Sequence, residues 1–168
     1  SGLESHAETA QSAQQLTGAT IHSKLQDLHK HHYDVITAWH VIEHVHLLRD
    51  TINTLRKCLN PNGILIIAVP NHRSFDAEFY KANWAAYDVP KHLYHFDQSS
   101  IKTLAKNCKL KVKATYPMKF DSYYVSLLSE KYANGKQNLA KAIQIGYQSN
   151  KKANQTGEYS SLIYVLEA

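Results

Sequence analysis

The residues best equipped for chemistry stand together at Trp39-His40-Val41-Ile42-Glu43-His44, where two imidazoles bracket a carboxylate. If the chain begins to coil at Val41, His40, Glu43 and His44 fall at i, i+3 and i+4 on one face. Such a set can hold a metal ion or move a proton. It can equally cap a turn through backbone hydrogen bonds. The letters His40-x-x-Glu43-His44 also fit the H-x-x-E-H signature of inverted zinc peptidases. That signature belongs inside a helix, whereas here a strand pattern runs straight into it, so a peptidase is not expected. A further acid, Glu4, follows Leu3 and precedes a helical stretch. A carboxylate there, acceptor-only with two oxygens, suits chelation of paired ribose hydroxyls; alternatively it favours the helix dipole.

The elements that must position these groups alternate between two periodicities. Tyr33-Asp34-Val35-Ile36-Thr37-Ala38-Trp39 reads as a buried strand, and Ile64 to Val69 as a second run apolar on both faces, closed by Pro70. A run of that kind suits a parallel sheet covered by helices. Residues 6–16 favour a helix stopped by Gly18, and Ala19–His22 is short and β-capable. Leu48, Ile52, Leu55 and Cys58 follow helical spacing, ended by Asn60-Pro61-Asn62-Gly63. Residues 75–96 are irregular and rich in aromatics (Trp84, Tyr87, Tyr94, Phe96), with His92 and His95 among them. Ile101, Leu104, Ala105 and Cys108 mark another helix, Lys111–Tyr116 a strand, and Ser160–Leu166 the last strand. Leu139, Ile143 and Tyr147 mark a lysine-bearing helix between those two strands. The expected fold is α/β, a Rossmann-like, doubly wound, mostly parallel sheet. It forms one domain over residues 1–168, with a helical lysine-rich insertion at about 122–157.

Composition bounds the function. With 168 residues, 43% apolar and 20% charged, the chain is neither disordered nor low-complexity. Its longest apolar run falls far short of the roughly 18 residues a membrane span needs. Cys58 and Cys108 lie far apart without CxxC spacing, which suits reduced thiols and a cytoplasmic setting. The net charge of +5 resides between Lys131 and Gly157, where five lysines meet no acid. Lacking arginine and a recognition motif, that strip reads as a solvated face, and no nucleic-acid partner is expected. Residue 1 is serine and the only methionine is Met118, so the sequence reads as a segment of a longer one.

The order of these pieces resembles a class I S-adenosylmethionine-dependent methyltransferase. Gly2-Leu3-Glu4-Ser5 before an alanine-rich helix is similar to that family's second strand and ribose-binding acid. Tyr33 to Val45 resembles its fourth strand and the loop that follows. Leu55-Arg56-Lys57-Cys58-Leu59-Asn60-Pro61-Asn62-Gly63-Ile64-Leu65 resembles its "L-K-P-G-G-x-L" turn into the fifth strand. Pro90-Lys91-His92-Leu93-Tyr94-His95-Phe96 resembles a substrate-side loop of the branch that includes the ubiquinone-pathway O-methyltransferases.

The resemblance implies S-adenosylmethionine as cofactor and a small-molecule methyl acceptor. Glu4 would meet the ribose, with Ser23, Lys24 and Leu25 near the adenine. Ala38, Trp39 and His40 would lie beside the ribose or methionine part. His44 or His40 would take a proton, with His92 and His95 as second candidates, although methyl transfer also proceeds by proximity alone. Trp84, Tyr87, Tyr94 and Phe96 would line the acceptor pocket or cover the sheet edge. Two departures qualify this. No glycine-rich turn precedes Glu4, so the sheet is expected to lack its first strand at the N-terminus. Weak cofactor binding, low activity and pairing of free edges with a second copy would follow. That branch also associates a glutamate-glutamate-histidine set with a divalent ion, and His40 stands where its first glutamate would. No metal is therefore assigned, with His40, Glu43 and His44 as weak candidates of softer preference. The alternatives are a non-catalytic methyltransferase-like binding domain and a histidine-rich metal binder.

Overall fold

Ile64-Leu65-Ile66-Ile67-Ala68-Val69 has no polar side chain to offer water on either face, and it becomes the centre of the molecule. The computed structural model of the chain describes residues 1–30 and 32–168, with residues 29 and 30 described by backbone alone. Strands β1 (Gly2–Leu3), β2 (Ile21–His22), β3 (Tyr33–Trp39), β4 (Leu59–Pro70), β5 (Lys111–Pro117) and β6 (Ser161–Glu167) alternate with helices α1 (Ala7–Thr17), α2 (Leu48–Lys57), α3 (Phe75–Tyr80), α4 (Gln98–Asn107), α5 (Asp121–Asn134) and α6 (Leu139–Thr156). β1 and β2 form a parallel pair, while the larger sheet has the order β3-β4-β6-β5. There β3 and β4 are parallel and only β6 runs against its neighbours. The arrangement is the mixed α/β, mostly parallel fold expected of a Rossmann-like chain.

β4 lies between β3 and β6, and Leu65, Ile67 and Ala68 are fully buried in it. α2 and α4 cover it through Leu48, Ile52, Leu55, Ile101 and Ala105, which are all buried in one core. The expectation of a buried β3 is corrected. That strand pairs only with β4 among the described residues, and Val35 and Trp39 stand about half exposed at 50% and 49%. An edge strand has solvent on one side, whatever its sequence suggests. Among the described residues β1 likewise pairs with β2 alone. The Ser1 hydroxyl lies 2.8 Å from that of Tyr33, joining the starts of β1 and β3.

The Asn60–Gly63 turn does not precede β4; it is folded into it. Tyr33 pairs with Leu59 and Val35 with Ile64, so β4 bulges between those two points. Asn62 turns left-handed there (φ 68°), and a Cβ on Gly63 would sit 2.9 Å from the Tyr33 carbonyl oxygen. Only glycine permits that approach. The irregular stretch 75–96 contains α3, begun by Ser74, whose hydroxyl accepts the Ala77 N–H, and then two 3-10 turns, Lys81–Asn83 and Ala85–Tyr87.

The segment between β5 and β6 holds two helices rather than one. Moreover, Leu139, Ile143 and Tyr147, whose spacing marks the second of them, are exposed. α6 instead buries Ala142, Ile145, Gly146, Ser149 and Ala153. Small residues let α5 and α6 approach closely, so the buried face is the one with least side chain. α3, the 84–86 turn, α5 and α6 share a second apolar cluster, anchored by Tyr80, Trp84, Val125 and Ile145. Among the described residues, no helix is long and apolar enough to cross a membrane.

Candidate active site

β3 delivers His40 to the sheet's carboxyl end, the usual ligand-binding edge of an open α/β sheet. The backbone does not coil where the sequence pattern suggested. His40 is left-handed (φ 51°), and Ile42–His44 makes a single 3-10 turn. A histidine in that region costs about 1–3 kcal/mol and persists only where its surroundings hold it. Its ring shows what holds it. Nδ1 lies 3.2 Å from Glu43 Oε1 and Nε2 lies 3.2 Å from Asp121 Oδ2 at the start of α5. With a carboxylate at each nitrogen, both ring N–H groups donate and the imidazolium is favoured. The Asp121 hydrogen bond, followed by that of Glu43, outweighs burial and raises the His40 pKa to about 9. A shift in that direction disfavours His40 as the proton acceptor near neutrality.

Glu43 is fully buried, and its second oxygen, Oε2, has no hydrogen-bond partner. His44 turns away from His40, its Nδ1 donating to the Lys91 carbonyl at 3.2 Å. His92 Nδ1 donates to the Ala86 carbonyl at 2.8 Å. A carbonyl can only accept, so each ring places an Nδ1 proton there and leaves Nε2 outside that bond. The His44 and His92 rings meet edge to face, 4.6 Å between centroids. Burial, the largest influence on His92, lowers its pKa and keeps it neutral. His95 donates from Nε2 to the Tyr87 carbonyl at 2.9 Å. The three residues His40, Glu43 and His44 thus do not share one face. Glu43, His44 and His92 come together instead, with one ligand atom from each lying within 4.8 Å of the others.

A cavity of about 440 Å³ opens beside this corner, lined by His40, Asp121, Lys91 and His92, by Ala85 and Ala86, and by Tyr124, Leu128 and Tyr132 of α5. The aromatics expected to line an acceptor pocket do other work. Trp84 is buried, donating its indole N–H to Asp76 at 2.7 Å, and Phe96 belongs to the main core. Asp121, Tyr124 and Tyr132 were not singled out from sequence. Their signal was present, since Tyr124, Leu128 and Tyr132 repeat every four residues and define one helical stripe.

The residues expected to hold the cofactor sit at or just beyond strand ends. Glu4 follows β1, and its Oε1 accepts the His6 N–H at 2.8 Å, shaping the entry to α1. Ser23 and Lys24 form an exposed bend after β2, whereas Leu25 packs on the main core. Ala38 is buried and Trp39 leaves half of its indole open. The cavity beside His40 includes neither Glu4 nor Trp39.

Comparison with known proteins completes the description. Residues 3–114 match the family model described as a methyltransferase domain. No curated protein matches the sequence significantly. Among solved structures, the fold is similar to a SAM-dependent methyltransferase from Thermotoga maritima, with TM-score 0.64 and 14% identity over 98% of this chain and 70% of that one. It is also similar to the cyclopropane synthase MmaA2 from Mycobacterium tuberculosis, with TM-score 0.60 and 13% identity over 98% of this chain and 68% of that one. A third similar structure is the mycolic acid cyclopropane synthase CmaA1 complexed with SAH, with TM-score 0.60 and 12% identity over 99% of this chain and 69% of that one. With residues 3–114 of its 168 matched, the chain belongs to the methyltransferase domain family, the S-adenosylmethionine-dependent class whose motifs its sequence resembles and whose fold it shares.

Proposed function

We propose that this chain transfers a methyl group from S-adenosylmethionine to a small-molecule acceptor seated between His40 and α5. The observation that carries the reading is the cavity itself. It begins at the carboxyl end of β3, where the resemblance puts the cofactor, and its far wall is α5, which lies beyond the residues matched to the family. A shared fold does not choose the acceptor; the side chains that line this cavity can.

Methyl transfer from a sulfonium is an in-line displacement, and most of what a protein adds is alignment. Glu4 would chelate the ribose through the oxygen not engaged by His6. Ser23, Lys24 and Leu25 would border the adenine, and Ala38 the ribose side. The open face of Trp39 would attract the sulfonium by a cation–π contact. His40, paired with Asp121, would tie the cofactor corner to the acceptor wall. Proton removal, where the acceptor needs it, falls to the other candidate imidazoles: His44, His92 and His95. Tyr124, Leu128 and Tyr132 give the acceptor a largely apolar surround.

Because, among the described residues, β1 pairs in one two-stranded sheet and β3 in another, the tips bearing Glu4 and Trp39 belong to separate sheets and are weakly fixed relative to each other. Calorimetry with S-adenosylhomocysteine is therefore expected to show saturable binding weaker than about 1 µM, less favourable than roughly −8 kcal/mol. Glu4→Ala and Trp39→Ala should each weaken it further. Failure to saturate at millimolar ligand, or indifference to both substitutions, would remove the proposal.

A further inference from the structure

Glu43, His44 and His92 each bring one potential ligand atom to the same place, all within 4.8 Å of one another. The Nδ1 proton of each ring is committed to a backbone carbonyl, at Lys91 and at Ala86. Each ring therefore aims its Nε2 elsewhere. Glu43 is fully buried, its Oε1 meets His40, and its Oε2 is buried without any partner. Leaving such an oxygen unpaired costs stability, and an orphan of this kind in a native site calls for an explanation.

We infer that Glu43, His44 and His92 form a binding site for a divalent transition metal of the zinc type. One carboxylate oxygen and two imidazole nitrogens are a donor set zinc accepts, with a fourth position left for water or another ligand. Ligating histidines usually donate their other N–H to a carbonyl or carboxylate, which fixes the ring and the tautomer. Both rings already do this. One ligand atom from each residue lies within 4.8 Å of the others. Tetrahedral zinc at its usual bond lengths needs about 3.3 Å between ligands, so modest side-chain rotation closes the set. Magnesium, which prefers oxygen ligands in an octahedron, fits two imidazoles poorly.

The site differs from the one the family resemblance implies. That set would use position 40, but His40 spends both nitrogens on Glu43 and Asp121. Its place is taken by His92, which also lines the cavity beside α5. The metal site shares His44 and His92 with the methyl-transfer reading, so an occupied site would leave proton removal to His95; metal binding itself needs neither cofactor nor acceptor.

The test uses the tag-free 168-residue chain, stripped with chelator and titrated with Zn²⁺, Co²⁺ and Mg²⁺ in separate experiments. One zinc per chain is expected after buffer exchange, with visible Co²⁺ absorption of low-coordinate N/O type and no retained magnesium. His92→Ala should lower zinc affinity by about tenfold or more, the scale that even outer-shell losses reach. His44→Ala, at an exposed position, should do the same and serves if the His92 variant misfolds by circular dichroism. His40→Gln should leave zinc binding intact. The inference is overturned if the native chain retains no zinc. It is equally overturned if neither alanine variant weakens binding, or if His40→Gln abolishes binding while the alanine variants do not. The chain's other histidines make these variants necessary, since adventitious zinc would be insensitive to residue 92.

Discussion

Replacing Asp76 with alanine is expected to destabilise the protein by about 3–5 kcal/mol, since each buried donor left without its acceptor costs about 1–3 kcal/mol. Asp76 is fully buried at the start of α3 and accepts three hydrogen bonds. Ser149 of α6 donates to Oδ1 at 2.6 Å; Trp84 and Ser160 donate to Oδ2, each at 2.7 Å. One carboxylate thus ties α3, the 84–86 turn, α6 and the entry to β6. Alanine leaves three donors buried and unsatisfied. For a domain whose whole stability is about 5–15 kcal/mol, that loss is large. Asp76→Asn keeps the volume and one strong acceptor, so it should cost less. Urea denaturation of both variants measures this. A loss for Asp76→Ala below about 1 kcal/mol, the net value of one ordinary hydrogen bond, would show that the network is not what joins these elements.

Gly146→Val should cost about 3 kcal/mol, the upper end of the usual overpacking range. A Cβ at position 146 would lie 2.6 Å from Tyr123 Cδ1 and 2.9 Å from Tyr123 Cα. The ring can rotate away, but the backbone atom cannot, so α5 and α6 must separate. Separation would also pull apart the bond that the buried Ser122 hydroxyl donates to the Gly146 carbonyl at 3.1 Å. Ala140→Val on the exposed side of the same helix is the control. It should cost only the propensity difference, at most about 0.7 kcal/mol. Equal urea midpoints for the two variants would refute the close-packing account. Because α5 carries Tyr124, Leu128 and Tyr132, Gly146→Val should also disturb the cavity, read as altered acceptor selectivity once an acceptor is found.

Local pattern made much of the fold legible. Leu48, Ile52 and Leu55 are the buried stripe of α2, Asp97 caps α4 with a reciprocal bond from Ser100, and Gly18 ends α1 in a left-handed turn. Each is decided within a few residues, where spacing and side-chain chemistry act directly. The departures from pattern share one cause. Val35 is apolar yet half exposed because β3 is an edge. Leu139, Ile143 and Tyr147 are apolar yet exposed because α6 presents its small residues to α5. Periodicity reports which residues can be buried, while the partner element decides which are.

The sequence by itself determined the methyltransferase family, the α/β order of elements and the placing of Glu4 and the His40–Glu43 pair at strand ends, since these depend on neighbours close along the chain. Only the tertiary structure decided that His40 meets Asp121 and that His92 joins Glu43 and His44. It alone showed that α5 walls the cavity. Those contacts join residues far apart in the chain; His44 and the Lys91 carbonyl it bonds are 47 positions apart. No local propensity encodes such a meeting, because it follows from the crossing of whole elements over a common core.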